Sequence, residues 1–92
     1  MKPKYKQLFE NEKFLNQNIE EIIYIKLFPS NFDRQEYKYL FIGNPFDTEV
    51  KFVSIDRDIH SGINRVCDRE DIAEIRLATE EEKETYKTYF PL

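Results

Sequence analysis

Apolar and polar positions alternate through the middle of this 92-residue chain and recur at helical spacing towards its two ends. In residues 36–43, Tyr37, Tyr39 and Phe41 fall on one side and Lys38, Leu40 and Ile42 on the other, the period-two pattern of a strand. Residues 48–56 read as the next strand. Between them, Gly43-Asn44-Pro45-Phe46-Asp47 makes a turn, because a residue before proline is pushed out of the helical region. The two strands form an antiparallel hairpin. The chain is then expected to turn at 58–62 and to make short strands over 63–67 and 72–77. Residues 4–16 place Tyr5, Leu8, Phe9, Glu12 and Leu15 on one side at 3.6 spacing, with Phe14 off the stripe, which predicts a helix. Thr79 with Glu82 three residues on is a capping box. It opens a helix over 79–90 whose Tyr86, Tyr89 and Phe90 share a face and which stops at Pro91.

Residues 19–28 fit two patterns. Leu15, Ile19, Ile22, Ile23 and Leu27 have helical spacing, and Asn18 with Glu21 mimics a capping box. The cluster Ile22, Ile23, Tyr24 and Ile25 loses rotamer freedom in a helix and fits a strand, which is the assignment taken. A turn follows at 29–33. The sum is one α+β domain over 1–92. It has a helical N-terminal segment (1–18), a β-rich core (19–77) built as an antiparallel β-meander of four to five strands, and a C-terminal helix (79–90). Two strands with apolar residues on both faces require either a covering helix or closure into a small SH3-like barrel, and the barrel is the preferred sub-reading.

Composition supports the β-rich core. Ten isoleucines, eight phenylalanines and six tyrosines stand against two alanines, and only Gly43 and Gly62 are available for positive-φ turns. A net charge of −4 over this length does not suggest disorder. No apolar run reaches the roughly 18–20 residues of a membrane span, and the basic start, Met1 to Lys6, lacks the apolar stretch of a signal peptide. One cysteine, Cys67, excludes an internal disulfide framework and fits a reducing compartment, so a cytoplasmic location is expected. Charge is uneven: residues 1–46 carry +1 and residues 47–92 carry −5. Much of the excess lies in Asp68, Glu70, Asp71 and Glu74 and in the run from Glu80 to Glu84. The run suits a helix N-terminus. The first four are the candidate partner-binding face, directed at a basic surface.

Candidate chemistry is sparse. Asp56, Asp58, His60, Ser61 and Cys67 lie within a dozen residues, and a thiol nucleophile needs an imidazole within hydrogen-bond reach and a third group to orient it. A lone cysteine at a strand end more commonly serves as a small buried hydrophobe, so no catalytic residue is assigned. One His and one Cys do not make a zinc site, Asp56-Arg57-Asp58 lacks the remainder of a calcium loop, and two distant glycines make no phosphate cradle. Neither metal nor cofactor is expected. Tyr24, Phe28, Tyr37, Tyr39, Phe41 and Phe52 could form a base-stacking face, but a sequence pI near 5.0 predicts repulsion from phosphate, so nucleic acid is disfavoured as a partner.

The string Ile75-Arg76-Leu77-Ala78-Thr79-Glu80-Glu81-Glu82-Lys83 resembles the end of small uncharacterised bacteriophage and prophage accessory proteins, in which an apolar-Arg-x-Ala-Thr-x-Glu-Glu pattern opens the last helix. The resemblance covers nine residues. It implies a phage or mobile-element accessory protein acting in a bacterial host cell and carries over no catalytic residues. The expected function is therefore a non-catalytic interaction module that binds and inhibits or modulates a larger host protein. The alternative is a structural or assembly component, in a virion or a homo-oligomer, and an RNA-binding module comes third.

Overall fold

The computed structural model describes residues 3–29 and 36–92. The expected turn at 29–33 therefore lies, beyond Pro29, outside the described residues. In chain order the elements are helix α1 (Pro3–Gln17), strands β1 (Ile23–Leu27), β2 (Lys38–Phe41), β3 (Lys51–Ser54) and β4 (His60–Ile63), a single 3-10 turn (Arg69–Asp71), strand β5 (Ile72–Leu77) and helix α2 (Glu80–Tyr89). The five strands form one antiparallel sheet in the order β4-β3-β2-β1-β5. The first four run as a meander, and β5 returns to pair with the free side of β1.

That order corrects the expected barrel. Closure would need β4 and β5 to pair, and they occupy opposite edges of an open sheet. The apolar residues on both sides of β1, β2 and β3 are met by layers on both faces. On one face, Ile23, Ile25 and Phe41 are fully buried against Leu15 of α1 and against Val50, Val66, Cys67 and Ile72. On the other, Leu40 and Val53 are fully buried with Ile22, Tyr24, Ala78 and Tyr86 of α2. A strand between two such layers buries successive side chains on both faces. That settles the ambiguous segment: Ile23, Tyr24 and Ile25 are all buried in β1, while Ile19, which the helical pattern counts as apolar face, is 61% exposed in the preceding turn.

Two further expectations change. The chain turns at 56–58, and Gly62 lies within β4. Asp56 makes that turn, its carboxylate accepting from Arg57 N (2.9 Å), Ser54 Oγ (3.1 Å) and Lys38 N (3.2 Å). Gly62 is needed where it is because the Phe52 ring lies across it, and a Cβ there would come within 2.7 Å of Cζ. No strand continues past Ile63. In α1 the buried side is Asn11 and Leu15 with Phe14 packed beside them, whereas Phe9 is 65% exposed. Asn11 is accommodated by Gln7, whose amide donates to its Oδ1 at 2.9 Å.

Candidate functional site

The link from β4 to β5 must travel from one edge of the sheet to the other, and it does so over the α1 face. It is pinned at the β2–β3 turn, where Gly43 takes φ +95° and the Asn44 side chain accepts from Phe46 N at 2.9 Å. From that turn the Pro45 carbonyl accepts from Val66 N (2.9 Å) and the Phe46 carbonyl from Arg65 Nε (3.0 Å). Val66 and Cys67 are thereby pressed into the core, and the next residues, Asp68 to Asp71, are left on the surface.

The four candidate acids fall on this exit. Asp71 accepts from Asp68 N at 3.0 Å and closes the 3-10 turn, and Asp68 lies 3.4 Å from Arg65. Glu70 stands exposed between them. Glu74, on edge strand β5, lies 3.7 Å from Lys26 and 3.9 Å from Arg76. All four are exposed, an acidic ridge along this exit and the start of β5 whose charge is partly answered within the chain. Arg69 turns the other way, pairs with Glu12 of α1 and stacks over Phe46, 4.6 Å from the ring centroid. A cleft of about 280 Å³ opens there between α1 and the β2–β3 turn, bounded by Leu15, Ile19, Gly43 and Phe46. Its two charged groups, Glu12 and Arg69, neutralise one another.

Cys67 and His60 are not brought together as a catalytic pair. His60 is exposed on edge strand β4, its Nδ1 3.1 Å from the Asp58 carbonyl. Cys67 is buried, and burial, with Asp71 and Asp68 nearby, pushes its thiol up to about 12. A thiol so held is not a nucleophile at neutral pH. Iodoacetamide should therefore label Cys67 far more slowly in the native protein than in urea, and equal rates, followed by mass spectrometry, would show the side chain to be accessible. Among the described residues, no group of three or more His, Cys, Asp or Glu is placed to hold a metal ion.

The aromatics expected to form one stacking face are divided. Tyr39, Phe41 and Phe52 point into the α1 core, and Tyr24 faces the α2 side. Tyr24 is instead the platform for Arg76, whose guanidinium carbon lies 3.7 Å from the ring centroid. Arg76 also forks onto Glu82, Nη1 to Oε1 at 2.8 Å and Nη2 to Oε2 at 3.1 Å. Glu82 accepts from Thr79 N (2.8 Å), and Thr79 Oγ1 accepts from Glu82 N (3.2 Å), so the capping box and the arginine fork share one carboxylate. Arg76 is the residue the sequence left without a role. Its signal, an arginine three residues before the N-cap, becomes legible only once β5 is known to lie beside β1.

Arg76 and the capping groups hold the Glu82 carboxyl below the usual carboxylate range. A folded-state pKa lower than the unfolded value contributes stability above about 4.3, lost as pH falls through the folded value. Glu82→Gln should therefore flatten the acid limb of the stability curve, measured by urea unfolding at stepped pH. An unchanged limb would mean that the fork carries no linkage.

Compared with protein-family models, curated proteins and solved structures, the chain matches none. Among the described residues, no helix is long and apolar enough to cross a membrane.

Proposed function

We propose that this chain is a non-catalytic interaction module, a phage or mobile-element accessory protein that binds a larger host protein in the bacterial cytoplasm and inhibits or modulates it. The observation carrying this is the exposed acidic ridge of Asp68, Glu70 and Asp71, at the end of the link pinned to the core, continued by Glu74 on edge strand β5. A ridge with an acidic excess, held by the pinned link and by β5, suits steering towards a basic surface and costs little ordering on binding. The nine-residue string gives the phage assignment its only support, and in this chain those residues serve the Arg76–Glu82 joint.

A pulldown from bacterial lysate identifies the partner, and the salt dependence of its association then tests the ridge. Association should slow as salt rises through physiological strength. Neutralising Glu70 and Glu74 to glutamine spares the Asp68–Asp71 turn; it should weaken binding and reduce the salt slope without moving the melting temperature. Salt-independent affinity would remove the ridge from the interface. A second reading, assembly of copies of the chain, is favoured by strand β4.

A further inference from the structure

The two edges of the sheet are built differently. Edge strand β5 is guarded: its pairing with β1 is interrupted by an irregularity at Lys26/Leu27, it carries Glu74 and Arg76, and Arg76 Nη1 covers the Leu77 carbonyl at 3.1 Å. Bulges and charges of this kind are how natural sheets prevent edge pairing. Edge strand β4 has none of them. Its register with β3 is unbroken, and residues 59–64, Ile-His-Ser-Gly-Ile-Asn, contain no proline and no Asp, Glu, Lys or Arg.

The backbone groups that β4 offers follow from its register. Asn64 N donates to the Val50 carbonyl at 3.0 Å, and β3 pairs with β4 as Lys51↔Ile63, Phe52↔Gly62, Val53↔Ser61 and Ser54↔His60. Alternation in an antiparallel ladder then turns the amides and carbonyls of Asn64, Gly62 and His60 towards β3. Those of Ile63, Ser61 and Ile59 point outward. Their side chains share the α2 face, since Ser61 lies opposite Val53 of that core. Ile59 is 53% exposed and Ile63 61%, and Tyr89 of α2 joins them, its hydroxyl donating to the Ile59 carbonyl at 3.3 Å. That carbonyl keeps a second lone pair.

We infer that β4 pairs antiparallel with β4 of a second copy of this chain, about a two-fold axis through Ser61, joining two sheets into one of ten strands. Outward groups meet outward groups only in registers that differ by steps of two. In the register centred on Ser61, Ile59 lies opposite the second copy's Ile63, twice over. A shift either way puts Ile59 or Ile63 against Ser61, so only the register centred on Ser61 pairs both isoleucines; Arg57 and Arg65, which it sets opposite each other, lie beyond the ends of the strand. A two-fold contact of this kind is self-complementary and closed, so it stops at two copies. Residues 59–64 carry no Asp, Glu, Lys or Arg, so the paired stretch itself sets no like charges opposite each other. The inference is independent of the acidic ridge, since Glu74 lies on the opposite edge strand.

Light scattering behind size exclusion tests it on the full chain across a concentration series. The mass should rise to twice the 11.2 kDa of one chain. Ser61→Lys sets two ammonium groups opposite each other on the axis and should weaken association by about tenfold or more. The circular dichroism spectrum should be unchanged, because Ser61 is exposed in one copy. Ser61→Cys gives a readout that does not depend on affinity. Hydrogen-bonded cross-strand positions lie about 5.5 Å apart, within disulfide range, so mild oxidation should yield a covalent dimer, while Ile59→Cys should not link to itself. The buried Cys67 keeps the wild-type background low. A chain monomeric at every concentration overturns the inference, as does a dimer that Ser61→Lys leaves intact or one that Ser61→Cys does not cross-link.

Discussion

Replacing Phe41 by alanine should lower the free energy of unfolding by about 3–5 kcal/mol, the range for removing a buried aromatic ring. Phe41 has no exposed surface, stands on β2 in the middle of the sheet, and belongs to the core beneath α1. At roughly 0.05–0.15 kcal/mol per residue a domain of this length holds about 5–14 kcal/mol in all, so one ring represents a large part of it. Urea unfolding followed by tyrosine fluorescence and circular dichroism measures the loss. Phe9→Ala is the internal control: that ring is 65% exposed on α1, and its removal should stay within about 0.5 kcal/mol. Comparable losses from the two would mean that α1 packs by another face.

Deleting residues 86–92 should be at least as damaging. Helix α2 has only ten residues, and isolated helices of that length are marginal in water, so its order depends on docking. Tyr86 is its one buried residue, 3% exposed, with its ring 5.4 Å from that of Phe90 and its hydroxyl donating to the Lys51 carbonyl at 3.0 Å. The deletion uncovers Leu40, Val53 and Tyr24 together and should leave the chain largely unfolded at 37 °C. Tyr86→Phe separates the parts, keeping the ring and removing the hydrogen bond for about 1 kcal/mol. A truncated chain with the melting temperature of the full one would show α2 to be undocked, and its aromatic face would then be free for a partner.

Much of this fold could be read from local pattern. The alternation in 36–43 assigned both faces of β2 correctly, because a residue's face in a strand depends only on the parity of its position. Strand β5 and the Thr79–Glu82 box also lie where the sequence places them, since a capping box is satisfied by groups three residues apart. What could not be read was non-local. Apolar residues on both sides of a strand are met equally by a barrel or by a layer on each face, and only the pairing of β5 with β1 decides between them. Gly62 has the sequence signature of a turn, whereas its constraint is the Phe52 ring of the neighbouring strand. In α1 the stripe through Phe9 and Glu12 gave way to one through Asn11, Phe14 and Leu15, because burial there follows from where the helix lies, and Gln7 makes a buried asparagine acceptable. The candidate acids were visible as charge. Their local partners, Arg65 three residues before Asp68 and Asp71 three after, were within reach of the sequence, whereas Lys26 beside Glu74 was not.

The return of β5 to β1 also governs the order in which the molecule can be made. Ile25 pairs with Ile75, fifty residues further on, so the contacts that complete the sheet have high sequence separation and form more slowly than those of the meander. During synthesis the meander from β1 to β4 can assemble as it emerges, but one side of its most apolar strand stays unpaired until Leu77 has been added. Until then Ile23, Tyr24 and Ile25 present an uncharged edge to neighbouring nascent chains, where intermolecular strand pairing competes with native closure. Yield of folded protein should accordingly fall with expression rate and recover at low temperature or with chaperones that shield exposed strands. Strand β5, with helix α2 following it, is the latch that ends this exposure.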